Sequence, residues 1–196
     1  MNTLVKFLLS IGLWINAAHG AEINTLDIAK SRVSFAYKQM NVPMEGNFRR
    51  FGGQLIFDPA KPTLAKTALN IDLARIDTGT TEGDEEAAGK LWFNTRQFPV
   101  ARFVSTSVQP LGNNRFLVTG KMSIKGRTRV VSTPASFSQQ GTTGVFEGAF
   151  VLKRADYGIG EGIWADFDAV ANEVQIKFRL VATSTAGKKS SAAGKK

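Results

Sequence analysis

The sequence predicts an all-β protein of about eight antiparallel strands with one short helix, and three observations support this. Apolar and polar residues alternate along most of the chain, a period of two that no helix produces. Clusters of Gly, Pro and Asn separate the alternating runs at short intervals. Beyond residue 20 the chain has neither cysteine nor histidine, His19 being its only histidine, so its own core must hold the fold together.

Taken in order, Met1 to Gly20 reads as a secretory leader. Lys6 stands in a short basic start, an apolar run extends from Phe7 to Ile15, and the small residues Ala18 and Gly20 precede a cut before Ala21. Nine positions are too few to cross a hydrocarbon core, which takes about 20 residues. The first alternating strand carries Val33, Phe35 and Tyr37 on one face, the next Gly53, Leu55 and Phe57, and a third Thr67, Leu69, Ile71 and Leu73. Gly52-Gly53 inside a strand predicts a bulge or sharp bend.

Thr80 to Gly89 departs from this pattern. Thr81 followed by Asp84 resembles a capping box, Glu85-Glu86-Ala87-Ala88 favours helix, and Gly89 supplies a stop. Weaker alternation over Val100–Gln109 and Thr128–Phe137 flanks a clear strand with Phe116, Val118, Gly120, Met122 and Ile124 on one face. Phe146, Gly148, Phe150 and Leu152 mark the next strand, and Val174, Ile176, Phe178, Leu180 and Ala182 the last. Turns are expected at Asp58–Pro62, Gly112-Asn113-Asn114, Lys125-Gly126 and Gln140–Gly144. Strands of this kind, each with one apolar face, form a meander that closes as a barrel or stacks as a sandwich. A closed barrel of about eight strands has an interior just wide enough for side chains or one small ligand.

The organisation that follows is a leader over 1–20, one domain over 21–184 and a basic tail over 185–196, low enough in apolar content to be disordered. Without Lys6, 24 Lys and Arg face 16 Asp and Glu, and half of the formal +8 sits on Lys188, Lys189, Lys195 and Lys196. In an exported protein such a tail suits an anionic membrane surface, and nucleic acid is not expected as a partner.

Missing histidine and cysteine exclude Ser-His-Asp and Cys-His catalysis and zinc sites of those ligands. Glu82, Asp84, Glu85 and Glu86 lack the order of a calcium loop and are explained by the helix dipole, so no metal is expected. The Gly-rich Tyr157–Gly162 run has the wrong spacing for a phosphate cradle and reads as a loop. Lys125, Arg127 and Arg129 surround a tight turn, where they are candidates for an anionic headgroup or simply a charged hairpin tip. Trp92, Phe93, Phe98 and Phe103 follow the helix and either plug a barrel end or line a cavity mouth. Arg154-Ala155-Asp156-Tyr157 ends a strand with a charge pair and a ring. Asp156, Asp166 and Asp168 are the only candidates for a carboxylate pair of the kind glycoside hydrolysis uses.

Several ordered motifs together resemble the YceI-like family of periplasmic polyisoprenoid-binding proteins. They are Ile76-Asp77-Thr78-Gly79-Thr80, Gly89-Lys90-Leu91-Trp92-Phe93-Asn94, Gln97 to Phe103, Ile124 to Arg129 and Arg154 to Gly160, and the match covers nearly all of Ala21 to Ser184. The resemblance implies a lipocalin-like antiparallel barrel whose apolar channel holds an isoprenoid chain, such as a polyprenyl lipid or a quinone tail. It also implies a periplasmic location, in some relatives a cytochrome b561-like membrane partner, and no catalytic residue or cofactor.

The expected function is therefore a non-enzymatic periplasmic binder or carrier of a long isoprenoid. Phe35, Phe57, Leu69, Ile71, Trp92, Phe93, Phe116, Phe146, Phe150, Ile176 and Phe178 are the expected lining. Two rivals are an interaction protein docking a membrane partner, and a hydrolase built on Asp156 or Asp166.

Overall fold

The computed structural model describes residues 22–184. The leader and the tail read from the sequence lie outside the described residues. Ten strands form one sheet: β1 (Ile23–Gln39), β2 (Val42–Phe48), β3 (Phe51–Ile56), β4 (Lys66–Asp72), β5 (Ile76–Asp77), β6 (Val100–Gly112), β7 (Arg115–Ile124), β8 (Arg127–Gln140), β9 (Thr143–Lys153) and β10 (Glu173–Ser184). Every ladder is antiparallel, in the order β3-β4-β6-β7-β8-β9-β10-β1-β2-β5.

The sheet curls on itself as a half-barrel. A single bridge joins its flanks, with Ile23 N–H donating to Phe57 O at 2.8 Å and Phe57 N–H donating to Ile23 O at 2.9 Å. The sheet has ten strands where about eight were expected, and the two additions have separate causes. Pro43 and Gly46 break the alternation of β2, while β5 is only two residues long. The β1–β2 turn also carries no glycine: Met40 and Asn41 themselves take positive φ, 48° and 63°.

The two-residue turn at Lys125-Gly126 and the Asn113-Asn114 turn have the positive φ that tight hairpins demand. Gly52-Gly53 makes no bulge, since β3 pairs with β4 in unbroken register. Gly53 instead sits where a Cβ would strike the Ala68 carbonyl, a close approach of two backbones. Between Asp27 and Arg32 the β1–β10 register does shift, and Ser31 Oγ bridges the gap by donating to Asp27 O at 2.6 Å and accepting from Val181 N–H at 2.9 Å.

The helix α1 (Thr81–Ala88) is where the sequence places it, but its cap is Thr80, one residue earlier than expected. Thr80 Oγ1 accepts from Gly83 N–H at 3.1 Å. Asp84 does not complete a capping box. Its Oδ1 accepts from Thr78 N–H at 2.6 Å and from Thr78 Oγ1 at 2.8 Å, tying the helix to the strand before it.

Inward-facing residues divide the interior into zones. At one end Phe57 packs its ring against Phe116, Phe137 and Phe146, with centroids 5.5, 4.6 and 5.1 Å away, and all four are buried. That end is a solid aromatic plug. At the other end α1 and the segment 154–171 cross the sheet, with Leu73, Ile124, Leu152, Tyr157 and Ile159 packed beneath. Between the ends the inward side chains of Leu69, Ile71, Phe103, Phe150, Val174, Ile176 and Phe178 are only partly buried.

Candidate functional site: an apolar cavity with an acidic mouth

Those partly buried side chains face a cavity of about 680 Å³ that is open to solvent. All eleven residues expected to line a channel lie on its wall: Phe35 from β1, Phe57 just past β3, and Leu69 and Ile71 from β4. Trp92 and Phe93 come from the segment after α1, Phe116 from β7, Phe146 and Phe150 from β9, and Ile176 and Phe178 from β10. They serve two purposes. Phe57, Phe116 and Phe146 form the floor as part of the plug, whereas Phe150, Ile176 and Phe178 are wall with space in front of them.

Three of the inward rings on the cavity wall lie over glycines. Phe35 pairs with Gly46 and Phe178 with Gly148 in the ladder, and Phe103 lies over Gly120. A Cβ at Gly120 or Gly148 would meet the Phe103 or Phe178 ring at 2.5 Å, and one at Gly46 would meet the Phe35 ring closer still. With only hydrogen there, each ring sits back against the sheet, in space that a Cβ would take, instead of being pushed into the lumen.

The segment over the open end hangs on Arg154, which is 1% exposed. It makes no charge pair with Asp156, contrary to the sequence reading; all five of its N–H groups go to backbone carbonyls. Nη1 donates to Ile159 O at 2.9 Å and Gly160 O at 2.8 Å, while Nη2 donates to Trp164 O and Val170 O, both at 2.7 Å, and to Asp166 O at 3.3 Å. Nε shares its proton between Val170 O and Ala171 O. The rings of Trp92 and Phe167 lie 5.5 and 5.2 Å from the guanidinium carbon. Burial draws its pKa below the usual arginine value, yet six carbonyl dipoles hold the cation in place of a carboxylate.

Around the mouth the lining turns polar. Thr78, Thr80, Glu82 and Glu86 reach it from α1 and the strand before it, and Gln39 from the end of β1. Trp164 Nε1 donates to Glu86 Oε1 at 2.7 Å, pinning the 154–171 segment to the helix. Tyr37, also on the wall, has its phenol pKa raised by burial. Sequence reasoning explained Glu82 and Glu86 by the helix dipole and so missed them as mouth residues. Their spacing of one helical turn was the available signal.

The other candidates lie elsewhere. Lys125, Arg127 and Arg129 are not on the cavity wall. Lys125 Nζ donates to Gly158 O at 2.6 Å and Glu161 Oε2 at 3.0 Å, Arg127 donates to Glu161 Oε1 at 3.3 Å, and Arg129 Nη1 donates to Thr128 O at 3.1 Å. The first two clamp the loop that Arg154 organises, so they are corrected from headgroup candidates to structural ties. Asp156, Asp166 and Asp168 are exposed and also lie off the wall. Asp166 Oδ1 spends itself on Asp168 N–H at 2.9 Å. Phe98 packs under the Gly126 turn, outside the cavity. Among the described residues no cluster of metal-ligating side chains occurs, and no helix is long and apolar enough to cross a membrane.

The comparisons fit this geometry. Residues 25–182 match the profile of the YceI-like domain. A UPF0312 protein of Shewanella denitrificans is 30% identical over 165 residues, covering 80% of this chain and 86% of that protein. A UPF0312 protein of Azotobacter vinelandii is 35% identical over 120 residues, covering 58% of this chain and 62% of that one. Among solved structures, BcnA of Burkholderia cenocepacia superposes with a TM-score of 0.79 at 46% identity, over 81% of this chain and 99% of BcnA. A polyisoprenoid binding domain from Saccharophagus degradans, implicated in plant cell wall breakdown, shares the fold with a TM-score of 0.66 at 18% identity, over 82% of this chain and 98% of that one. With its domain profile matched from Thr25 to Ala182 and its sheet curled around one apolar cavity, the chain belongs to the YceI-like family.

Proposed function

We propose that the protein is a non-enzymatic binder and carrier of a long isoprenoid lipid, a polyprenyl lipid or an isoprenoid quinone, working in the periplasm. The observation that carries this reading is the row of inward apolar side chains left partly uncovered around about 680 Å³, a size within the usual range for small-molecule sites. A chain laid along that wall gains about 0.8 kcal/mol for each buried CH₂, so several isoprene units bind without a directed hydrogen bond. The likeness to the Saccharophagus polyisoprenoid binding domain agrees with it in fold. The periplasmic location rests on the leader, and docking to an anionic membrane on the basic tail. A cytochrome b561-like partner rests on the family resemblance alone. A hydrolase finds no support, since its candidate aspartates stand away from the cavity.

Organic extraction of the natively purified protein followed by mass spectrometry tests the reading. An isoprenoid in stoichiometric amount is expected, and the stripped protein should melt lower than the reloaded one, because a ligand bound only to the folded state stabilises it. Equal melting temperatures for stripped and reloaded protein would refute the carrier role.

A further inference from the structure

We infer that the cavity selects amphiphiles whose head is uncharged or cationic and rejects anionic heads, phosphates above all, with Glu82 and Glu86 as the residues that discriminate. The inference rests on the cavity being the lipid site proposed above. It comes from counting the charges that a head lodged at the mouth would meet. The wall carries two carboxylates, Glu82 and Glu86, and one cation, Arg154. The carboxylates stand one turn apart on α1, both exposed, and neither makes an ion pair among the described residues.

Arg154 cannot answer a phosphate. It is 1% exposed, every N–H is committed to a carbonyl, and two aromatic rings pack within 6 Å of it. The start of α1 could in principle attract an anion. Here Thr80 takes two of its backbone donors, accepting from Gly83 N–H at its hydroxyl and from Asp84 N–H at its carbonyl. Glu82 and Asp84 in the first turn already offset the helix dipole. Lys125 and Arg127 are held on Glu161. An anionic head therefore finds two like charges and no uncommitted donor on a cation, beside an apolar cavity that weakens solvent screening. A hydroxyl or carbonyl head pays no such repulsion, and an ammonium is attracted.

Three probes sharing one twenty-carbon isoprenoid chain isolate the head: geranylgeraniol, geranylgeranylamine and geranylgeranyl phosphate. Each competes with a fluorescent apolar probe on the lipid-stripped full-length protein and on the Glu82→Gln/Glu86→Gln variant. Gln at 86 keeps an oxygen for Trp164 Nε1, so the mouth retains its tie. In the unsubstituted protein the phosphate should bind about tenfold more weakly than the alcohol, the repulsion expected from two partly screened charges. The double variant should narrow that gap to about threefold or less, weaken the amine, and leave the alcohol unchanged. Raising the salt should narrow the gap in the unsubstituted protein as well, a readout that stands even if the variant folds poorly. Phosphate binding equal to alcohol binding at low salt, or a gap the folded double variant does not move, would overturn the charge inference while leaving the lipid site intact. Failure of all three probes to displace the dye would overturn the lipid-site reading itself.

Discussion

Phe57 and Phe178 both point inward, yet the structure assigns them opposite energetic roles, and truncating each to alanine separates plug from wall. Phe57 is 3% exposed and touches three other rings, so Phe57→Ala removes the centre of the packed plug under the cavity floor. Such a change costs about 3–5 kcal/mol, and the lost edge contacts with Phe116 and Phe146 favour the upper part of that range. Phe178 already faces empty space on its lumen side and rests on Gly148 behind. Its removal widens an existing cavity and forfeits only partial burial, about 1–1.5 kcal/mol. In urea unfolding of the lipid-free protein the two variants should differ severalfold in midpoint shift at unchanged slope. Melting temperature should fall by roughly 10 °C for Phe57→Ala and by only a few degrees for Phe178→Ala. Equal and large losses would show that Phe178 is packed like Phe57 and that the interior is solid.

Removing the Arg154 side chain in Arg154→Met takes away the donor from six carbonyls, of which Asp166 O keeps another in Val170 N–H, so the loss should reach about 4 kcal/mol or more, with amide exchange over 158–171 accelerating first. Arg154→Lys, with three donors, should recover only part of this, and full recovery would contradict the carbonyl-cage account. Gly148→Ala drives the Phe178 ring into the lumen and strains the Pro134 carbonyl, so the longest isoprenoid alcohol that still binds should shorten, and adding Phe178→Leu should restore the length. An unchanged length limit in a folded Gly148→Ala protein would refute the ring-on-glycine wall. Asp77 is held below the usual carboxylate range chiefly by the hydrogen bond from Arg49, so its folded pKa lies below its unfolded one. Its contribution is present above about pH 4 and is lost as pH falls through the folded value, so the stability gap between wild type and Arg49→Met should shrink as the solution is acidified below that point, and a gap constant with pH would refute the pairing.

Period-two alternation was enough to place the strand side chains on the right face although no strand register was known, while Trp92 and Phe93 were picked out as an aromatic cluster after the helix, and all eleven residues lie on the wall. The ladder partners that seat Phe178 on Gly148 and Phe35 on Gly46 were not legible, because pairing joins positions far apart in the chain. β2 was missed for the local reason that Pro43 and Gly46 interrupt its pattern. Lys125 and Arg127 read as an anion site because Glu161, 36 and 34 residues onward, is brought to them only by the folded loop. Arg154 looked like half of a charge pair because Asp156 is near in sequence, whereas its actual partners are main-chain carbonyls that any sequence could supply.

Filling and emptying the interior depend on the same residue type. Where four inward phenylalanines meet one another, at Phe57, Phe116, Phe137 and Phe146, they close the barrel end as a plug. Where a half-buried inward phenylalanine lies over a glycine, at Phe103 and Phe178, it stands as an apolar panel on the cavity wall. Each panel offers a lipid chain ring surface without polar atoms, and burial of that surface on binding supplies the affinity. The depth of the cavity is thus set by the plug and its bore by the glycines, while the mouth, built from α1 and the Arg154-held segment, sets the charge a head must bring. Chain and head are read by separate parts of the fold, so substitutions at Gly148 and at Glu82 should change ligand preference independently and additively.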